Sequence, residues 1–383
     1  LMPFYQKNGK IPSKRHVQFR NQSNNLIWEE LVSRNGFSGI YSNLYHRNPP
    51  TAIREIGKLK KINLNSNIEV HRHHHFKTKE IKLGGDLISS RFPLLFNDDL
   101  VIYKAHIDRS MKNLYKNGHG DEIIYIQNGH GLLMSNFGCL NFSEGDYIII
   151  PKGVIWKAEI IEETRALIIE SKYPLETPNR YRNTFGQLLE HSPFCERDIK
   201  TPNFEEQSIE NSCTIDIKLK NGIQSYSYKF HPFDLVGWDG YYFPWIFNIN
   251  DFMPITGKIH QPPPVHQTFQ SKSFVICSFV PRLFDYHQDS IPAPYAHSNI
   301  DSDEVIFYSK GNFMSRKGIS CESITYHPSG LPHGPQPGKI EESLNKRETD
   351  ELAVMIDTFK PLKISDLALN IDDEKYPYSW LKK

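Results

Sequence analysis

Residues 115–129, YKNGHGDEIIYIQNG, and residues 297–311, HSNIDSDEVIFYSKG, carry one pattern twice. Asn117 stands with Asn299, Asp121–Glu122 with Asp303–Glu304 and Gly129 with Gly311, at identical spacing. Each copy then reaches a second shared turn, PKGVIW at 151–156 and PSGLPH at 328–333. Self-similarity over such a distance means that the chain builds one structural unit two times. In both copies a β-branched and aromatic run follows the acidic pair and stops at a glycine, the mark of a strand ending in a turn.

A ligand-bearing strand pair followed by a Pro/Gly turn that delivers a last histidine is the two-part signature of the cupin barrel. The expected fold class is therefore all-β with minor helices: tandem cupin, or double-stranded β-helix jelly-roll, barrels. Short strands between turn signals run through the rest, among them DLVIYKAHI, DYIIIPKG, TIDIKLK, SFVICSFV and LAVMIDTF. The 25 prolines argue against a helical bundle and the 12% aromatic content suits strands. One helix is predicted at 23–36, SNNLIWEELVSRNG, capped by Ser23 or Asn24, with Ile27, Leu31 and Val32 on one face and Gly36 as its stop. The segment 173–210, rich in Pro, Asn and charge, reads as a linker, and 338–351 as a charged surface loop. The predicted domains are 2–210, an N-terminal β domain with a degenerate, metal-free cupin half, and 211–383, a C-terminal cupin domain carrying the metal site.

The halves differ where it matters. Tyr115 stands in place of His297 and Trp156 in place of His333, so the first half lacks two of three ligand positions. The second keeps His297, Glu304 and His333. Two neutral imidazoles and one carboxylate leave three positions open on an octahedral ion, the arrangement of non-haem Fe(II) oxygenases; zinc can use the same ligands. Asp303 and Asp301 compete for the carboxylate role. Glu304 is preferred because its distance to Gly311 repeats that from Glu122 to Gly129. The bland alternative, a solvated acidic loop with a turn histidine, is disfavoured by the repeat.

With 45 basic and 44 acidic residues the net charge is +1, which gives no field for nucleic acid or an acidic membrane and points to a small substrate. Five scattered cysteines without a C-x-x-C pair predict neither a disulfide frame nor a thiolate zinc site. No apolar leader and no run of about 18 apolar residues is present, so a soluble cytoplasmic protein is expected. The HRHHH run at 71–75 reads as surface or interface histidines rather than a metal store.

MPFYQKNGKIPSKRHVQFR, NGFSGIYSNLYHRNPPT, FDLVGWDGYYFPWIFNINDFMPI, FVPRLF, YAHSNIDSDE and LPHGP together resemble the homogentisate 1,2-dioxygenase family, from Met2 to about Met355. The resemblance implies an Fe(II)-dependent ring-cleaving dioxygenase that opens homogentisate with O2 to maleylacetoacetate, in tyrosine and phenylalanine catabolism. It places Fe(II) on His297, Glu304 and His333, and a base for the substrate phenol on His260, with His266 as the rival. His327, six residues before His333, would be catalytic and touch the substrate. The family's substrate-holding tyrosine appears here as Phe313. Arg282 in FVPRLF is a candidate contact for the substrate carboxylate. The family places its glutamate six residues after the first histidine; here Glu304 follows His297 by seven and Asp303 by six, which keeps both carboxylates open. Expected partners are a small aromatic substrate and O2, with no nucleic acid and no membrane, in a homo-oligomer. The alternatives are a bicupin dioxygenase for another hydroxylated aromatic acid, gentisate-like, or a zinc or manganese bicupin isomerase.

Overall fold

The computed structural model describes residues 4–381 except 68, 69, 83, 208, 210 and 314. Among them, strands joined by short 3-10 turns account for nearly all regular structure, and the α-helix Lys339–Ser343 is five residues long. No helix among the described residues is long and apolar enough to cross a membrane.

The sequence repeat becomes a repeat of topology. An eight-stranded sheet contains, side by side, Asp146–Ile150, Asp121–Asn128, Thr164–Ser171, Leu100–Ile107 and Arg91–Phe96. A six-stranded sheet contains Ser323–His327, Asp303–Lys310, Leu352–Thr358, Phe274–Phe279 and Gln267–Gln270 in the corresponding order, every pairing antiparallel. The matched residues do matched work. Gly153 N donates to Asn117 O at 2.8 Å, and Gly330 N donates to Asn299 O at 2.7 Å. Asp121 accepts from Lys152 N at 3.1 Å, and Asp303 from Ser329 N at 2.8 Å. Gly129 and Gly311 share a φ of 90° and 92°. A Cβ at either glycine would run into backbone, the carbonyl of Glu163 or of Asp350, so both the sign of φ and the close approach require glycine. The fold is two cupin barrels in tandem.

The barrels are laced together. The strand His74–Lys77 pairs with Ser323–His327, and Lys363–Ile364 pairs with Arg91–Phe96. Cys213–Leu219 runs parallel to Leu114–Asn117, and Trp245–Asn248 extends the first sheet beside Asp146–Ile150. The sheets therefore do not follow a division at 210/211. Between the barrels, Tyr125 meets Phe307 edge-on, its hydroxyl 2.9 Å from Ser309 Oγ, and Tyr147 reaches Ser278 Oγ at 2.9 Å. One continuous apolar core runs through both.

Three local expectations are corrected. The predicted helix at 23–36 is a strand, Trp28–Ser33, paired antiparallel with Tyr41–His46. Asn35 and Gly36 both take positive φ, 51° and 62°, and their readiness to do so reverses the chain into a hairpin. The helical spacing of Leu31 gains it no burial; it is 39% exposed. Segment 173–207 is packed rather than a free linker: Leu175, Tyr181, Leu188 and Phe194 are buried and Ile199–Lys200 joins the Trp245 strand. Within 338–351, Ser343 is buried in the short helix and Glu348–Thr349 pairs with Arg282–Leu283.

One fold-stabilising ion group yields a pH prediction. His46 is buried between Asp234, 2.7 Å from its Nδ1, and Glu30, 3.0 Å from its Nε2. Burial opposes its charge, but these two carboxylates outweigh it and push the imidazole up to about 9. A raised pKa stabilises the fold fully below the unfolded value near 6.5, and the contribution is lost as pH rises through about 9. The expected loss is about 3 kcal/mol between those limits. Urea unfolding at the two pH values measures it, and the loss should vanish in His46→Asn. An identical pH dependence in that variant would remove His46 as its source.

Candidate metal centre

Because strand residues alternate sides, Asp303 and Glu304 face opposite ways. Asp303 turns into the framework: its Oδ2 accepts from the Tyr326 hydroxyl at 2.8 Å and Leu362 N at 2.7 Å, its Oδ1 from Ser329 N at 2.8 Å. Glu304 turns to the histidines. Its Oε2 lies 3.9 Å from His297 Nε2, and its Oε1 lies 3.5 Å from His333 Nε2. The ligand atoms of His297, Glu304 and His333 all fall within 4.8 Å of one another. His297 and His333 are held together by a pair of backbone hydrogen bonds, His297 N to His333 O at 2.8 Å and the reverse at 2.9 Å. Tyr115 and Trp156 pair in the same way in the first barrel.

The donors are ready for a cation. His333 Nδ1–H donates to Leu331 O at 3.0 Å, which fixes the tautomer and leaves Nε2 as a lone pair, buried and without a partner. Such an orphaned atom facing a carboxylate and a second imidazole fits a divalent metal better than it fits an apolar core. Burial works against the Glu304 charge, but the His327 hydrogen bond and the neighbouring His333 imidazole overcome it and hold the carboxyl well below the usual range.

His327 lies in this cluster, fully buried. Its Nδ1–H donates to Glu304 Oε1 at 2.7 Å, and its Nε2 accepts from the Tyr376 hydroxyl at 3.0 Å. Burial pushes the imidazole down to about 3, so it stays neutral. Its ring stacks on His333 with centroids 4.6 Å apart. Opposite Glu304 in the strand register stands Asp357, with Oδ1 buried and unpartnered; burial and the Glu304 charge push it up to about 7.

Other predicted residues lie elsewhere. His260 is on a loop, its side chain 54% exposed, and the Tyr295 ring stands between it and His297, 5.4 Å from one and 6.4 Å from the other. His266 is buried against Phe279, and burial pushes it down to about 3. Arg282 reaches Glu351 at 3.2 Å and lies over the same Phe279, so its charge is already answered. Phe313 packs its ring on Tyr308 at 4.7 Å.

The HRHHH run is corrected. His74 and His75 are buried, His74 donating to Asp372 at 2.8 Å. His73 donates to Pro332 O at 3.1 Å, and its ring lies 5.5 Å from His327 and 5.2 Å from Trp380. Of the run, His73 forms a wall of the site, His74 and His75 are buried in the framework, and His71 is exposed. Tyr376, Trp380 and Arg316 are the other wall residues that sequence reasoning missed; none has a counterpart in the repeat.

In the first barrel a protein cation occupies the cluster. Arg91 bonds Glu122 Oε1 at 2.7 Å, joined by the Tyr115 hydroxyl at 3.2 Å and Asn117 at 3.1 Å. Glu170, the counterpart of Asp357, is held by Lys218 at 2.7 Å.

A family model, homogentisate 1,2-dioxygenase N-terminal, matches residues 87–249. A protein of Saccharolobus solfataricus named "Putative dioxygenase" is 44% identical over 99% of both chains. The chain belongs to the homogentisate dioxygenase family. Within the homogentisate dioxygenase family, the Mus musculus homogentisate 1,2-dioxygenase is 26% identical, covering 67% of this chain and 60% of its own. The Homo sapiens homogentisate 1,2-dioxygenase is 24% identical, covering 74% and 67%. The chain thus spans about three fifths to two thirds of those two relatives. Among solved structures, a cupin 2 conserved barrel domain protein from Leptotrichia buccalis covers 77% of this chain and 99% of its own at 10% identity, with a TM-score of 0.38. For this member of the homogentisate dioxygenase family the His297, Glu304 and His333 cluster lies beyond the matched segment.

Proposed function

We propose that the chain is an Fe(II)-dependent ring-cleaving dioxygenase that opens homogentisate with O2 to maleylacetoacetate in cytoplasmic tyrosine and phenylalanine catabolism. The observation that carries the reading is the cluster of His297, Glu304 and His333, with His333 Nε2 buried and unpartnered. Those three residues would hold the iron. Bound there, Fe(II) would supply the redox chemistry that O2 needs.

The surrounding residues orient and enclose. His327 donates to Glu304 and so fixes which carboxylate oxygen remains available, the usual task of an outer-shell partner. The Tyr376 hydroxyl fixes the other face of that imidazole. His73 and Trp380 close one side with ring surface, which keeps water away from the donors. His260 as the base for the phenol remains part of the proposal only through its loop, since Tyr295 separates it from His297 in this arrangement.

Phe313 favours a second reading within the same chemistry. A ring packed on Tyr308 offers no hydroxyl to a substrate, which suits another hydroxylated aromatic acid such as gentisate. Oxygen uptake by Fe(II)-loaded protein across homogentisate, gentisate and related hydroxyarenes tests both. Uptake matched to substrate consumed is expected with iron and not with zinc or manganese. No uptake on any hydroxyarene in fully iron-loaded protein would reject the dioxygenase, and turnover without O2 under zinc or manganese would establish an isomerase.

A further inference from the structure

Three buried cations in this protein sit on carboxylates: Arg91 on Glu122 at 2.7 Å, Lys218 on Glu170 at 2.7 Å and Lys104 on Glu322 at 3.2 Å. Arg316 differs. It is 7% exposed, yet among the described residues its guanidinium bonds only neutral groups. One terminal nitrogen donates to Gly334 O, beside His333; the Tyr308 hydroxyl faces it; Nε is buried with no partner. The Trp380 ring lies 5.7 Å from the guanidinium carbon, and that ring also packs on His327 and His73. The guanidinium is therefore part of the wall of the metal cluster.

A buried guanidinium that no carboxylate touches is a natural partner for an anion. The groups that support the Arg316 charge are the Tyr376 and Tyr308 hydroxyls and, through space, one carboxylate, Glu304. A divalent cation on Glu304 spends that charge, so the cation and Arg316 each still favour an ionised oxygen. A ligand that answers both carries an ionisable oxygen at each end. We propose that Arg316 anchors the substrate carboxylate, so that the site selects hydroxyaryl carboxylic acids, ring hydroxyl toward His297, Glu304 and His333, carboxylate on the guanidinium fork. The assignment rests on the dioxygenase reading for the aromatic hydroxyl and replaces Arg282, whose charge Glu351 already meets. Planar, bidentate pairing with carboxylate is what arginine does better than lysine.

The test is calorimetric binding to metal-loaded protein under nitrogen, with homogentisate and with methylhydroquinone, which keeps the ring and both hydroxyls but lacks the carboxylate. Wild type should prefer the acid by roughly 10–100-fold. In Arg316→Gln the preference should fall to about threefold or less, with methylhydroquinone binding unchanged, a split that a merely structural role for Arg316 does not produce. If that variant fails to fold, Arg316→Lys decides: it keeps the charge and loses the fork, and its preference should drop several-fold. Equal binding of both ligands by wild type, or undiminished acid preference in the folded variants, would overturn the anchor. Because no oxygen is present, the outcome is separate from the reaction. Acid-selective binding without O2 uptake would sink ring cleavage and leave Arg316 standing, and O2 uptake with an Arg316-independent preference would do the reverse.

Discussion

Replacing Glu304 with Ala is expected to strip the protein of its metal, whereas Asp303→Ala should leave the metal-to-folded-protein ratio where it was. The adjacent carboxylates face opposite sides of one strand, and only Glu304 shares a 4.8 Å sphere with His297 and His333. Loss of an outer-shell partner typically lowers metal affinity about 10–100-fold, and loss of the ligand itself should exceed that. Asp303→Ala removes an acceptor for the Tyr326 hydroxyl and for two backbone amides, Ser329 N and Leu362 N, so its cost falls on stability. Metal analysis after gel filtration, beside denaturant midpoints, separates the two. Metal lost from Asp303→Ala and kept by Glu304→Ala would reverse the assignment and restore the six-residue spacing.

The mirror experiment belongs to the first barrel. Glu122→Gln should lower the unfolding free energy by about 3–5 kcal/mol while metal content stays constant, because it leaves Arg91 buried and unpaired. Adding Arg91→Met should recover much of the loss, since removing both partners of a buried pair is far milder than removing one. Urea melts of the single and double variants read the coupling. Metal falling in step with Glu122→Gln, at denaturant concentrations where the protein is folded, would mean that the first barrel holds an ion after all.

The repeat carried most of what could be read from the chain. Asn117 and Asn299, or Asp121 and Asp303, are alike because each pair makes the same backbone hydrogen bonds at the same turn, and that local chemistry leaves a local trace. The same comparison chose Glu304 over Asp303. What escaped is what arrives from far along the chain. His73, Tyr376 and Trp380 meet around His327, and His74 meets Asp372 beside them, through strand exchange, and no spacing rule joins residues 74 and 372. Arg316 sits in a loop of ordinary composition; what sets it apart is burial beside the cluster with no carboxylate in contact among the described residues. The strand at Trp28–Ser33 was misread because the helical spacing of Ile27, Leu31 and Val32 hid the stronger signal, an Asn-Gly reversal. His260 matched a motif, but a motif does not say where an exposed loop rests.

The strand exchange also sets an order in time. His74 can meet Asp372, and His327 can meet Tyr376, only after the chain has been made to within a few residues of Leu381. A ribosome releases the N-terminal side first, so the His74–Lys77 strand must wait, unpaired, through the synthesis of roughly 250 residues before its partner Ser323–His327 exists. Until then it is a naked edge carrying His74 and His75, exposed to stray metal and to other nascent chains. Contacts this remote close slowly, because the loop entropy is lost before the contact rewards it. Competence to bind metal should therefore be the last property the protein acquires in refolding, trailing the first barrel's tryptophan signal.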